Sequence, residues 1–413
     1  MTASPEQRVI DFEKLAYGMF IHYGLYSQLG RGEWVMNRES MSFSDYSKLM
    51  DTFTATDFNG REIAKIARLS GMKYICLTTR HHDGFSMYDT RGLNDYDAPH
   101  SPAGRDLVGD FVAGCRAEGI VPFFYHTTLD WSMDSFENDF DAYLNYLNES
   151  VEILCRNYGK IGGLWFDGNW SKPNADWKEE ALYATIRKYQ PEAIIVNNTG
   201  LNALGQTGHP EIDVVTYERG RPQAMDRSGM PKYLAAEMCL TMNQHWGIGK
   251  NDFNYISPKE LIENLCACRK VGANLLLNVG PTAEGKIPDY ESATLQRVGK
   301  WVDLYSDIIL NARPCSVKIE SDKDFILQHN RDYYVFVHDL SIVGDEHVTI
   351  GKGNKNMLKL KGISDKVNNI CWLDNSQNIG FTQNLKSEEL QFCPTGYPYG
   401  TDLVIRVAKI SVN

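Results

Sequence analysis

Two histidines, an aspartate, a glycine and a phenylalanine stand together as "HHDGF" at residues 81–85, directly after the apolar run "YICLTTR". Imidazoles donate to or accept from hydroxyl groups, and a carboxylate beside them can hold charge. Residues of the same kind close other apolar runs. His22 follows "YGMFI", Tyr125 and His126 fall in "VPFFYHT", Asp167 ends "GGLWFD", and Asn197 and Asn198 end "AIIVNN". Glu218 ends "DVVTYE", Glu237 sits in "LAAEMCL" and Asn278 in "NLLLNVG". Taken singly, a histidine at a strand end is most often a hydrogen-bonded structural residue. A polar side chain at every such end is a different observation, because chance would scatter them.

Asp167 is the sharpest of the set. "GGLWFDGNW" runs apolar straight into a carboxylate flanked by glycines and aromatic rings. A carboxylate placed there can attack an anomeric carbon. Retaining hydrolysis needs a second, protonated carboxyl group about 5–5.5 Å away. Glu218 and Glu237 are the candidates, and an apolar setting can raise a glutamate enough to keep its proton at neutral pH. "GEWV" adds Glu33 and Trp34, while Trp131, Trp165, Trp170 and Trp246 lie in or close after other apolar runs. Aromatic faces cover the C–H side of a sugar and polar groups take its hydroxyls, so the combination suits a carbohydrate.

The elements that must position these residues are short strands. Eight nearly continuous apolar runs recur at 17–24, 74–80, 121–127, 162–168, 193–198, 213–218, 234–240 and 274–280. Such runs are expected where both faces of a strand are covered. Most gaps carry helical periodicity, as in "REIAKIARLSG", "RDLVGDFVAGCRAEG", "DFDAYLNYLNESVEILCRNYG", "WKEEALYATIRKYQ", "SPKELIENLCACRKVG" and "ATLQRVGKWVDLYSDIIL". Only 199–233 shows little of it. Alternating strands and helices predict parallel βαβ units, and eight strands predict an α/β fold of the (β/α)8 type, with chemistry at the carboxyl ends of the strands. After residue 312 the texture changes. "DFILQHNRDYYVFVHD", "EHVTIGKG", "NNICWLD", "LQFCPTG" and "DLVIRVAKISVN" are strand-like and separated by turn residues. The expected organisation is therefore a catalytic barrel over 1–312 and a small antiparallel β-sandwich over 313–413.

The totals narrow the function. The chain has 413 residues and a formal net charge of −11, with no basic run. A nucleic-acid surface is excluded as a reading because the phosphate interaction needs a basic face, and an anionic membrane is equally disfavoured. Nine cysteines are scattered without a CxxC pair, and Cys76 and Cys239 lie in strand-like runs as small buried hydrophobes. The opening "MTASPEQRVIDFEKLAYGMF" lacks the basic-then-apolar pattern of a secretory leader, and no stretch of ~20 apolar residues occurs. A cytoplasmic location is the expectation. No heptad or long exposed apolar stripe points to an oligomeric state.

"YGMFIHYGLYS", "GEWV", "YICLTTRHHDGFSMYDT", "GLWFDG", "AEMCLTMNQHWGI" and "GANLLLNVGPTAEGKIP" together resemble the α-L-fucosidases of glycoside hydrolase family 29, in collinear order over residues 12–310. The resemblance implies a retaining exo-hydrolase that removes terminal α-L-fucose from a fucosylated oligosaccharide or glycoconjugate, without a metal or other cofactor. It implies that Asp167 is the nucleophile and that His22, Glu33, Trp34, His81, His82, Tyr125 and Trp165 bind the sugar. His126, Glu237 and Trp246 are counted with that sugar-binding set. The acid/base is expected at Glu218, with Glu237 as the other candidate. One departure stands out. Many members carry an arginine after the fifth-strand asparagine, where this chain reads "NNTG"; Thr199 cannot replace a guanidinium, and Arg219 or Arg221 is expected to supply the charge. Two other readings share the barrel. A metal-dependent hydrolase would use His81, His82 and Asp83 with further ligands. A sugar-binding barrel without catalysis would keep the histidines and Trp34 but have no use for Asp167.

Overall fold

The computed structural model describes residues 3–199, 201, 203–343 and 356–413. Eight strands, β1 (Tyr17–Ile21), β2 (Tyr74–Arg80), β3 (Val121–Thr127), β4 (Gly163–Asp167), β5 (Ile194–Asn197), β6 (Val214–Glu218), β7 (Ala235–Thr241) and β8 (Asn274–Val279), close into a barrel in sequence order. Every neighbouring pair is parallel, including β1 with β8. All eight predicted runs are strands. Their near-complete burial explains the continuous apolar runs, because a parallel barrel strand is covered on both faces.

Side-chain alternation then decides what faces inward. Phe20, Tyr74, Cys76, Phe123, Tyr125, Trp165, Val196, Val214, Cys239 and Leu276 belong to one buried cluster that fills the barrel. Two residues beyond an inward residue the chain again points inward, which places His22 above Phe20, Asp167 above Trp165 and Asn278 above Leu276. The strand must leave the barrel at once after Asp167. Gly168 permits this: its φ is +127° and a Cβ there would lie 2.4 Å from the Leu129 nitrogen.

Helices Gly60–Leu69, Leu107–Ala117, Phe140–Asn157, Glu179–Tyr189, Pro258–Lys270 and Asp289–Leu304 occupy the predicted gaps. Side chains cap four of their starts, Asn59, Asp106, Asp139 and Ser257. Asp106 accepts from Gly109 N, and Ser257 and Glu260 form a capping box, each cap contributing about 1 kcal/mol. Among the described residues no helix follows β5 or β6, in agreement with the irregular 199–233 segment. The long segment between β1 and β2 holds three one-turn helices that the sequence pattern does not announce, Tyr26–Leu29, Val35–Arg38 and Phe43–Tyr46.

The chain divides into two compact units, Met1–Ile256 with Ala273–Gln296, and Ser257–Gly272 with Arg297–Asn413. In the second, a four-stranded and a five-stranded antiparallel sheet are present. Val335, Ile370 and Trp372 of the larger sheet share one core with Leu358, Leu360 and Leu390 of the smaller, which is the sandwich arrangement. Strands Phe325–His329, Asp332–His338, Val367–Trp372, Glu389–Phe392 and Ile405–Val412 match predicted runs, whereas Leu358–Lys361 and Phe381–Asn384 are additional. The expected strand "EHVTIGKG" lies outside the described residues. No helix among the described residues is long and apolar enough to cross a membrane.

Candidate active site

A cavity of about 290 Å³ opens at the carboxyl ends of the barrel strands. Nine of the sequence-predicted residues line it: His22, Trp34, His81, His82, Tyr125, Trp165, Asp167, Glu218 and Trp246. They come from segments up to 224 positions apart, which is why only the closed barrel brings them together.

Asp167 lies at the centre. Its Oδ2 accepts from the Tyr125 hydroxyl at 3.1 Å and lies 3.5 Å from His82 Nε2. Its Oδ1 accepts from Trp170 Nε1 at 2.9 Å and from Asn198 Nδ2 at 3.5 Å. Burial opposes the charge, but His82, Trp170 and Tyr125 outweigh it and hold the carboxyl below the usual aspartate value. The side chain keeps 16% of its surface open, so it is ionised and reachable.

Glu218 carries the opposite perturbation. Burial first, and then the charge of Asp167, push it up to about 7, while Asn198 and Arg219 pull the other way. Asn198 Nδ2 donates to Glu218 Oε2 at 2.7 Å. One carboxyl is thus kept charged and its neighbour kept able to hold a proton at neutral pH, the division that acid and nucleophile roles require.

The imidazoles of His22 and His81 are held neutral. Burial lowers His22 to about 3 and drives His81 well below its ordinary value. His22 Nδ1 meets Asn278 Oδ1 at 2.7 Å, and Asn278 Nδ2 donates to the Trp246 carbonyl at 2.7 Å. The amide orientation fixes the tautomer: Nδ1 carries the hydrogen and Nε2 is left as an acceptor. His82 Nδ1 contacts Thr127 Oγ1 at 2.7 Å. The rings of His81 and Tyr125 stack at 5.6 Å, and those of Tyr125 and Trp165 at 5.8 Å. Trp34 stacks on Trp170 at 5.9 Å and meets Trp131 edge-on at 5.1 Å.

Three predicted residues do not line the cleft. His126 follows Tyr125 on β3 and therefore points to the other face; its Nδ1 contacts the Thr127 carbonyl at 2.7 Å, its Nε2 faces Tyr88 at 3.5 Å, and it is fully buried. Glu237 lies mid-strand, because β7 continues to Thr241. Its register partner on β6 is Thr216, while Cys239 is the residue beside Glu218. Glu237 is therefore one layer deeper, where it accepts from Tyr74 at 2.5 Å and Trp165 Nε1 at 3.0 Å, and burial raises it to about 7. Both of its oxygens are engaged there, and it does not line the cavity, whereas Glu218 does. Glu33 sits behind Trp246, accepting from the backbone of Trp246 at 3.1 Å and Gly247 at 2.8 Å.

Neither arginine expected to replace the missing one lines the cavity. Arg219 lies over the Trp246 ring at 5.3 Å and donates to the Gln244 carbonyl at 2.9 Å, and Arg221 is exposed. The cation among the lining residues is Arg38, placed over Trp34 at 5.3 Å. Phe20, Trp170, Asn198 and Leu201 complete the lining. Trp170 and Asn198 carry a signal in the sequence, since each lies within three residues of a strand end; Arg38 and Leu201 carry none. Among the described residues no group of three or more His, Cys, Asp or Glu side chains is placed to hold a metal ion, so the metal-dependent reading has no ligand set.

An aspartate kept ionised beside a glutamate that retains its proton, at the mouth of a parallel barrel walled with aromatic rings, makes this protein a glycoside hydrolase. The family model described as Alpha-L-fucosidase matches residues 3–307, and the chain belongs to that family. It is similar to alpha-L-fucosidase isoenzyme 1 from Paenibacillus thiaminolyticus, with 29% identity and a TM-score of 0.84 over 98% of this chain and 99% of that one. A putative alpha-L-fucosidase of Caenorhabditis elegans is 26% identical over 335 residues, 73% of this chain and 67% of the relative. The fold is also that of a GH29 alpha-L-fucosidase from Bacteroides thetaiotaomicron solved as a trapped covalent intermediate, at a TM-score of 0.81 and 21% identity over 100% of this chain and 98% of that one.

Proposed function

We propose that the protein is a retaining exo-α-L-fucosidase acting on fucosylated oligosaccharides or glycoconjugates, with Asp167 as nucleophile and Glu218 as acid/base. The observation that carries this reading is the pairing of the two carboxyls through Asn198. The distances of 3.5 and 2.7 Å from its Nδ2 place the two carboxyl groups on one amide nitrogen with these oxygens no more than about 6 Å apart, which supports the close pairing of a retaining site.

Asp167 attacks the anomeric carbon as Glu218 gives its proton to the departing glycosidic oxygen. A fucosyl ester on Asp167 results. Glu218, now a carboxylate, takes a proton from water as that water attacks C1, and fucose leaves with its configuration retained. The unprotonated Nε2 of His22 is available to accept from a sugar hydroxyl. Phe20, Tyr125 and Trp165 close the cavity floor, which suits a terminal sugar. Tyr125 and Trp170 fix the orientation of the nucleophile through their hydrogen bonds to its two oxygens.

The test is hydrolysis of an aryl α-L-fucoside followed by NMR of the first-formed sugar. The reading expects α-L-fucose as the initial product and loss of turnover in Asp167→Ala. Initial release of the β-anomer, or full activity in Asp167→Ala, overturns it.

A further inference from the structure

Asn198 is the residue through which the two carboxylates meet. Its Nδ2 donates to Glu218 Oε2 at 2.7 Å and to Asp167 Oδ1 at 3.5 Å, while its Oδ1 accepts from the Thr216 hydroxyl at 2.9 Å. This amide orientation donates to both carboxyl groups, whereas turned over it would set a carbonyl oxygen against the ionised Asp167. Thr216 is buried and lies two residues before Glu218 on β6, hence on the same inward face. The backbone of Asn198 is tied down as well, its N–H donating to the Phe166 carbonyl at 2.8 Å, next to Asp167. These bonds cross the thinnest seam of the barrel: β5 and β6 share a single register pair, Val196 with Val214. The neighbouring Asn197 points the other way, to Glu179 and Tyr183, so the two asparagines divide between the faces of one strand end.

A carboxyl oxygen that accepts a short hydrogen bond keeps its lone pair there, and the neutral acid then carries its hydrogen on the other oxygen. We propose that Asn198, locked by Thr216, is a positioning residue that holds Glu218 beside Asp167 and directs the transferable proton to Glu218 Oε1. The proposal rests on the assignment of Asp167 as nucleophile and Glu218 as acid/base. In the first step the hydrogen leaves Oε1 for the glycosidic oxygen, the C1–O bond breaks with its electron pair going to that oxygen, and an Asp167 oxygen bonds C1. The bond from Asn198 to Oε2 then becomes charge-assisted and strengthens. In the second step Oε1 recovers a proton from the water that bonds C1, and the ester bond to Asp167 breaks.

The groups facing Glu218 agree with this role. Burial, Asp167 from β4 and Glu33 from the segment after β1 raise it, whereas Asn198 and Arg219 lower it. The Cys239 thiol on β7 and the Tyr125 phenol on β3 also feel its charge, and burial keeps both neutral. Removing the Asn198 donor while keeping water out must therefore raise Glu218 further.

Asn198→Leu keeps the volume without the donor, and Thr216→Val removes only the lock. Both are expected to move the basic limb of kcat/KM to higher pH. Asn198→Leu should lower kcat/KM on a fucosyl oligosaccharide roughly tenfold or more, with a much smaller loss on an aryl fucoside whose phenol is strongly acidic and needs no proton. In a Glu218→Ala background, Asn198→Leu should add nothing, since the two act as a unit. An active wild type whose variants keep the basic limb in place, lose equally on both substrates, or show additive losses with Glu218→Ala overturns the proposal alone. A wild type with no fucoside hydrolysis overturns the fucosidase reading and this proposal with it.

Discussion

With Glu218 as the proposed acid/base, the alkaline side of the pH–rate profile should belong to it, and Glu218→Gln should remove that limb. Burial and the charge of Asp167 bring this carboxyl to about 7, so the proton needed for the first step is present in about nine-tenths of molecules at pH 6, half at pH 7 and one-tenth at pH 8. kcat/KM on a fucosyl oligosaccharide should therefore fall about tenfold between pH 6 and pH 8. Asp167, held below the ordinary aspartate value, stays ionised throughout this window and places the acid limb lower still. Glu218→Gln keeps an acceptor for Asn198 but has no acidic proton. General acid catalysis contributes about 10²–10⁴-fold, or roughly 3–5 kcal/mol of barrier, and the variant should lose that much on the oligosaccharide and far less on an activated aryl fucoside. The assay is kcat/KM from pH 4 to 9 for both proteins on both substrates. A limb near pH 7 that survives Glu218→Gln would refute the reasoning, and one that vanishes instead in Glu237→Gln would move the role to the deeper glutamate.

Other outcomes follow from the same structure. Asp167→Gly should be inactive and regain turnover with azide, giving a fucosyl azide of inverted anomeric configuration by product NMR. Asp213 is fully buried and meets Lys232 at 2.8 Å, Arg187 at 2.9 Å and Arg8 at 3.1 Å; Asp213→Ala takes the carboxylate from Lys232 and leaves Arg187 with Glu211 and Arg8 with Glu6, and should cost about 3 kcal/mol in denaturant unfolding. Burial raises Asp213 but Lys232 and Arg187 outweigh it, and the net lowering means its contribution exists above the unfolded value and is lost as pH falls, so wild type and variant should converge in acid. Glu291 is raised by burial from 4.5 to about 8. Its contribution is complete below the unfolded value and disappears as pH rises through the folded one, so Glu291→Gln should raise Tm relative to wild type at pH 9 and not at pH 5.

The barrel was legible because buried parallel strands must be apolar on both faces, which leaves eight runs with polar ends. Asp167 and the His81–His82 pair stood out for the same reason. Face and depth were harder to read. Tyr125 and His126 are adjacent and look equivalent in the sequence, yet alternation sends one into the cleft and the other away from it. Glu237 seems to end a strand until the pairing shows that β7 runs on to Thr241. Arg38 comes from a one-turn helix in an irregular segment, where no periodicity ties sequence to position. Asn198 is visible at a strand end, but its link to both carboxylates depends on the β5–β6 seam and on Thr216, which no local pattern encodes.

The account depends on Asp167 being the atom donor that bonds C1, and covalent trapping tests that directly. With 2-fluoro-fucosyl fluoride, the electron-withdrawing fluorine slows both steps while the good leaving group keeps the first accessible, so the intermediate accumulates. Mass spectrometry of the digested enzyme should find one fucosyl-derived adduct, on the peptide containing Asp167 and on that residue. An adduct on any other side chain, or turnover of fucosides with no adduct at all, would contradict the account.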